Sequence, residues 1–115
     1  MIDRAAIHHV VGIVVGLLVD GEYDVLESLT RRERLTADEI RTAIDEYPGT
    51  LVHPPSETWG IKDVIELENS EPPAVAVVVD LWTLEEGESD LSMELELVER
   101  YPGIPLPQIL NIHVM

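Results

Sequence analysis

Leu91-Ser92-Met93-Glu94-Leu95-Glu96-Leu97 decides how this chain folds. Apolar and polar residues alternate without a break, which is the period of a strand with one buried face. Working outward, the same period runs through Val75, Val77, Val79 and Leu81 before it. It recurs through Leu106, Leu110, Ile112 and Val114 after it, and through Ile61, Ile65 and Leu67 further upstream. The connectors are turn-forming: Asn69-Ser70-Glu71-Pro72-Pro73, a loop Glu85 to Asp90 centred on Gly87, and Tyr101-Pro102-Gly103-Ile104-Pro105. Connections this short favour antiparallel neighbours. Residues 58–67, 74–84, 91–99 and 106–115 therefore read as a four-stranded antiparallel meander.

Residues 1–49 read as helices. From Asp3 to Val19 the apolar positions Ile7, Val10, Val11, Val14, Leu17 and Leu18 recur three and four apart, with Asp3 as cap. Val and Ile are dense here and two glycines interrupt, so a buried strand competes with the helix. As a helix it is apolar nearly all round and needs cover on several sides. Glu22 to Leu29 reads as a short helix after Gly21, and Arg31, Arg32 and Arg34 as an exposed stretch. Thr36-Ala37-Asp38-Glu39 is a capping box that starts a third helix, carrying Ile40, Ala43, Ile44 and Tyr47 inward until Pro48-Gly49 stops it. Residues 50–57, with Pro54-Pro55, read as a loop. The result is one α+β domain of 115 residues, helices packed on a curved sheet.

Twenty-three acidic residues face seven basic ones, a net charge of −16. This argues against nucleic acid, where affinity comes from Lys and Arg neutralising phosphates, and against an anionic membrane. Apolar residues make up 45%, enough for a core and too many for an acidic disordered tail. No cysteine is present, which suits a reducing compartment and removes disulfides and thiolate metal sites. The apolar run 10–19 is about half a membrane span and lacks a cleavage site, so a cytoplasmic location is expected. Charge is uneven: residues 1–41 hold five basic and eight acidic residues, net −3, while residues 42–115 hold two and fifteen, net −13.

Period 2 also names what points away from the helices: Lys62, Val64, Glu66 and Glu68 from the first strand, Asp80 and Trp82 from the second, Glu94 and Glu96 from the third, Asn111 and His113 from the fourth. Glu85, Glu86, Glu88 and Asp90 add carboxylates at the sheet's end. A solvated open face carries charge in any case, and an acidic surface also suits a salty cytoplasm. One-sided charge across neighbouring strands costs stability, however, and a negative surface around a tryptophan steers and anchors a basic protein. The candidate partner-binding residues are thus Glu66, Asp80, Trp82, Glu85, Glu86, Glu94, Glu96 and His113. A copy of the chain is a further candidate partner, so monomer and homodimer both stay open.

Catalytic signatures are missing: no Gly-rich phosphate loop, no Gly-x-Ser-x-Gly, no His-Glu-x-x-His. His113 beside Asp80 or Glu94 could form an acid–base pair if the sheet enclosed a pocket. Placing Gly87 at the sixth position of a calcium loop puts Trp82 at the first ligand, so no such site is expected, and no cofactor.

The segment Val79-Asp80-Leu81-Trp82-Thr83-Leu84-Glu85-Glu86-Gly87-Glu88-Ser89-Asp90-Leu91, with the ending Ile112-His113-Val114, resembles a family of short uncharacterised bacterial domains. Helices followed by a curved meander also resemble NTF2-like or cystatin-like cone folds. The resemblance implies a cone whose relatives include enzymes, ligand-binding proteins and toxin inhibitors, so fold alone does not choose among them. Enzymatic members place His, Asp or Tyr inside the cone. The inward positions expected here are aliphatic, and no catalytic residue carries over. The expectation is a non-enzymatic binding domain, of the kind an immunity-type inhibitor represents, with a small-ligand or enzymatic cone as the alternative.

Overall fold

The computed structural model describes residues 2–30, 35–55 and 60–114. Arg31, Arg32 and Arg34, the start of the first expected strand at Thr58, and Met115 lie outside them. Helices α1 (Arg4–Val19), α2 (Tyr23–Leu29) and α3 (Ala37–Asp45) precede strands β1 (Leu51–Val52), β2 (Ile61–Leu67), β3 (Ala74–Thr83), β4 (Gly87–Tyr101) and β5 (Ile104–Val114). The sheet is antiparallel and five-stranded. Its path is β1-β3-β4-β5, with β2 also on β3. The additional strand is β1, which pairs Leu51 with Thr83 and Val52 with Trp82, inside a stretch the prolines suggest is loop. Among the described residues no helix is long and apolar enough to cross a membrane.

The core is the sheet face turned toward the helices. Val75, Val77 and Val79 pair with Leu97, Leu95 and Met93 across β3 and β4. Against them lie Val11, Val14, Val15 and Leu18 of α1, Leu26 of α2 and Ile40 of α3. Burial this complete, about 1.5–3 kcal/mol for each large aliphatic side chain, outweighs the poor helix propensity of a Val-rich α1. The caps follow the sequence. Asp3 Oδ1 accepts from the Ala5 amide at 3.3 Å. Thr36 Oγ1 accepts from the Glu39 amide at 3.2 Å while Glu39 Oε1 accepts from the Thr36 amide at 3.0 Å. Glu27 Oε1 accepts from the Ala37 amide at 2.8 Å and ties α2 to the start of α3.

Two strands depart from strict alternation. In β2 the register shifts between Ile61 and Asp63, so Lys62 is a bulge. Ile61 still pairs with Val79, but Val64 and Glu66 then pair with Val77 and Val75 on the helix side. Ile65 and Leu67, expected inward, turn to the opposite face and are 49% and 37% exposed. One extra residue reverses every later side chain of a strand. In β5 a shift opposite Glu94 and Leu95 leaves Leu110 between Ile109 and Asn111. Ile109 and Ile112 enter the core, while Leu106 pairs with outward Val98. The expected loop 85–90 is also shorter, because Gly87 at φ 74° turns the chain straight into β4. Opposite Leu81, Ser89 Oγ donates to the Leu81 carbonyl at 2.6 Å and accepts from the Leu91 amide at 3.2 Å.

The bulge makes a sharp expectation. Val64→Ala should destabilise by about 1 kcal/mol and Ile65→Ala by less than about 0.5 kcal/mol in urea melts; strict alternation would give the reverse order. Leu95→Ala, at a fully buried position, should cost about 2–5 kcal/mol.

Candidate functional site

Among the described residues the helices pack on one face of the sheet, and the other face is where chemistry is displayed. Cross-strand pairing sets its side chains in rows. Asp63, Val78, Glu94 and Asn111 form one row, and Ile65, Ala76, Glu96 and Gln108 the next. Asp80, Ser92 and His113 form a third on one side, and Leu67, Ala74, Val98 and Leu106 a fourth on the other. The face is therefore graded, from acidic and polar at one end to apolar at the other.

Asp80 and Ser92 sit low in the polar end. Ser92 is fully buried and donates from Oγ to Asp80 Oδ1 at 3.0 Å. A serine bonded this way and sealed from solvent is a structural donor rather than a nucleophile. His113 Nε2 lies 3.7 Å from Glu94 Oε1, long for a hydrogen bond but within ion-pair range when the ring is protonated. His113 Nδ1 is sealed and has no partner among the described residues. With the proton on Nε2, Nδ1 is a bare lone pair, cheaper to leave unmatched than a donor. Trp82 has no such choice, since its Nε1–H is a donor, buried and unmatched among the described residues. An unmatched buried donor costs about 1–3 kcal/mol. The ring is held beside Gly60 and Gly87, each of which would bring a Cβ to 3.6 Å from it. At Gly60 that Cβ would also stand 2.3 Å from the Asp80 carbonyl oxygen, and φ is 80°, so only glycine fits.

The sequence-predicted residues divide into three groups. Asp80, Glu94, Glu96, His113 and Trp82 lie on strands whose outward positions share the uncovered face. Glu66 does not, because the Lys62 bulge turns it to the helix side, opposite Val75. Glu85 and Glu86 are occupied within the fold. Glu85 accepts from the Thr50 amide at 2.8 Å and from Thr50 Oγ1 at 3.2 Å, and Glu86 accepts from the Tyr47 hydroxyl. The Thr50 amide holds the Glu85 carboxyl below its usual range. The bond to Glu86 raises the Tyr47 phenol. Asp63, which replaces Glu66 in the acidic row, is visible only once the bulge is known. The remaining histidines are apart from this face: His8 and His9 on α1, and exposed His53 3.8 Å from Asp20. Among the described residues no three His, Asp or Glu side chains gather to hold a metal ion.

These features define a small α+β domain with one sheet face covered and the other displayed. The chain belongs to the family of the domain of unknown function DUF7668, whose model matches residues 15–115 and so takes in the whole sheet. No curated protein and no solved structure matches it.

Glu85 carries a pH signature. Its folded pKa lies below the unfolded one, so its stabilising contribution is present above the usual carboxylate range and is lost as pH falls through the folded value. Glu85→Gln should therefore flatten the acid limb of stability against pH while leaving stability at pH 9 less affected than Glu85→Lys, both read from urea midpoints across pH. Ser92→Ala, which strips Asp80 of its donor, should cost about 1–3 kcal/mol in the same assay.

Proposed function

We propose that this is a binding protein that holds a basic protein partner against the uncovered face of its sheet, in the manner of an immunity-type inhibitor. The observation that carries the reading is the pair of adjacent rows bearing Asp63, Glu94 and Glu96 on the face the helices leave bare. Like charges side by side on a sheet are a standing cost that an oppositely charged partner removes. The −13 held by residues 42–115 extends this field beyond the contact and speeds encounter. Half-buried Trp82 borders the polar end and supplies an aromatic anchor, and the apolar end at Ile65 and Leu67 supplies surface to desolvate.

The interior supports binding over a ligand-holding cone. The centre of the space between α1 and the sheet is filled by Val11, Val14, Leu18, Val77, Met93 and Leu95, with no polar group among them, and open space lies at its rim, beside the first turn of α1. The reading takes the domain as an NTF2-like or cystatin-like cone of a cytoplasmic bacterial protein, a shape supported by helices that precede an antiparallel sheet and pack on its apolar face.

The experiment is capture of the partner from the source cell followed by charge reversal. The double variant Glu94→Lys/Glu96→Lys should weaken the captured complex roughly tenfold or more and reduce the dependence of its affinity on salt. Affinity unchanged by the reversal would remove this face as the site.

A further inference from the structure

We propose that the partner joins the sheet at β2, where an extended basic segment adds along the free edge as a sixth strand. The proposal rests on the reading of a basic partner and names the part of it that makes contact.

The two edges of the sheet differ. At one edge β5 is approached by both α1 and α3. At the other, among the described residues, β2 pairs with β3 alone. Its outer backbone groups face away from the sheet, a ready template for another strand. The faces of β2 are open as well. Outward, Ile65 and Leu67 stand at the ends of the rows through Ala76 and Ala74, so an added strand would extend those rows and cover both. Inward, a crevice of about 410 Å³ separates the first turn of α1 from the strand, lined by Asp3, Arg4, Ile7, Val64 and Glu66 among others. An added strand points every second side chain to that side.

Charge selects the occupant. Asp63 and Glu66 outnumber Lys62 on β2, Glu68 follows directly after it, and the crevice sets two carboxylates against one guanidinium. An incoming strand with Lys or Arg on its inner side and apolar residues on its outer side matches both faces. A second copy would bring another −16 to the contact. The bulge at Lys62 disturbs only the start of the edge, leaving Asp63 to Leu67 in regular register. This also gives Glu66 a place in recognition, on the opposite face from Glu94.

The probe is a synthetic peptide of about ten alternating lysines and valines, the length of an ordinary strand. Its twin is N-methylated throughout, with the same charge and side chains but no N–H to donate. The unmethylated peptide should bind at low salt, slow hydrogen exchange at the amides of residues 63–67, and lose about tenfold in affinity on methylation and again on Glu66→Lys. Equal binding of both peptides, with no protection at β2, would overturn strand addition and leave the acidic face as a plain electrostatic surface. Failure of both peptides to bind at low salt would overturn both readings. Light scattering that shows a dimer with β2 already protected would overturn the proposal in favour of a second copy.

Discussion

The pairing of β3 with β4 is the constraint on which the other elements depend. Ala74 to Asp80 run in unbroken register against Val98 to Ser92, so one side of both strands is aliphatic throughout. A sheet face of that kind cannot stay in water, and α1 is the element with enough apolar surface to close it. Once α1 is committed to that face, the other has no helix on it among the described residues. Its composition then becomes a question of display rather than packing. The polarity of the domain, in the sense of having a covered side and a presented side, follows from one strand pair.

Sequence reading was reliable where pairing is regular and misleading where it is not. On β3 and β4 the period identifies inward and outward residues, because both strands are central and neither bulges between residues 74 and 80. On β2 and β5 it misassigns Val64, Ile65, Glu66, Leu67 and Leu106. An inserted residue is silent in a hydrophobicity pattern: Ile61, Val64, Ile65 and Leu67 fit either phase, and the ladder with β3 decides. The capping box at Thr36 and the cap at Asp3 were readable because each uses side chains a few residues away. The bonds from Thr50 to Glu85 and from Tyr47 to Glu86 were not, since they link residues 35 and 39 positions apart.

That division bears directly on the candidate site. The acidic loop at 85–90 invites a functional reading by composition, yet two of its carboxylates fasten the chain before β1 to the β3–β4 turn. The Leu84 amide donating to the Thr50 carbonyl at 2.8 Å completes the fastening. Ser92 and Asp80 show the converse. Both are outward by period, yet they bury each other's polar atoms and stiffen the polar end of the displayed face. A face supported in this way presents Glu94 and His113 from a firm base, which lowers the entropy a partner must overcome.

The bulge at Lys62 has one more consequence, for how the chain tolerates changes of length. Across the shift, Ile61 and Asp63 pair with Val79 and Val78, which are themselves adjacent. In the sheet's own numbering Lys62 therefore occupies no rung. A deletion there would let the ladder close into regular pairing with Val64 and Glu66 still turned to the helices and Ile65 and Leu67 still outward. Losing a residue between Asp63 and Leu67 would instead exchange the two surfaces of the strand beyond it. The edge of this sheet thus holds a spare position beside positions where the count is fixed.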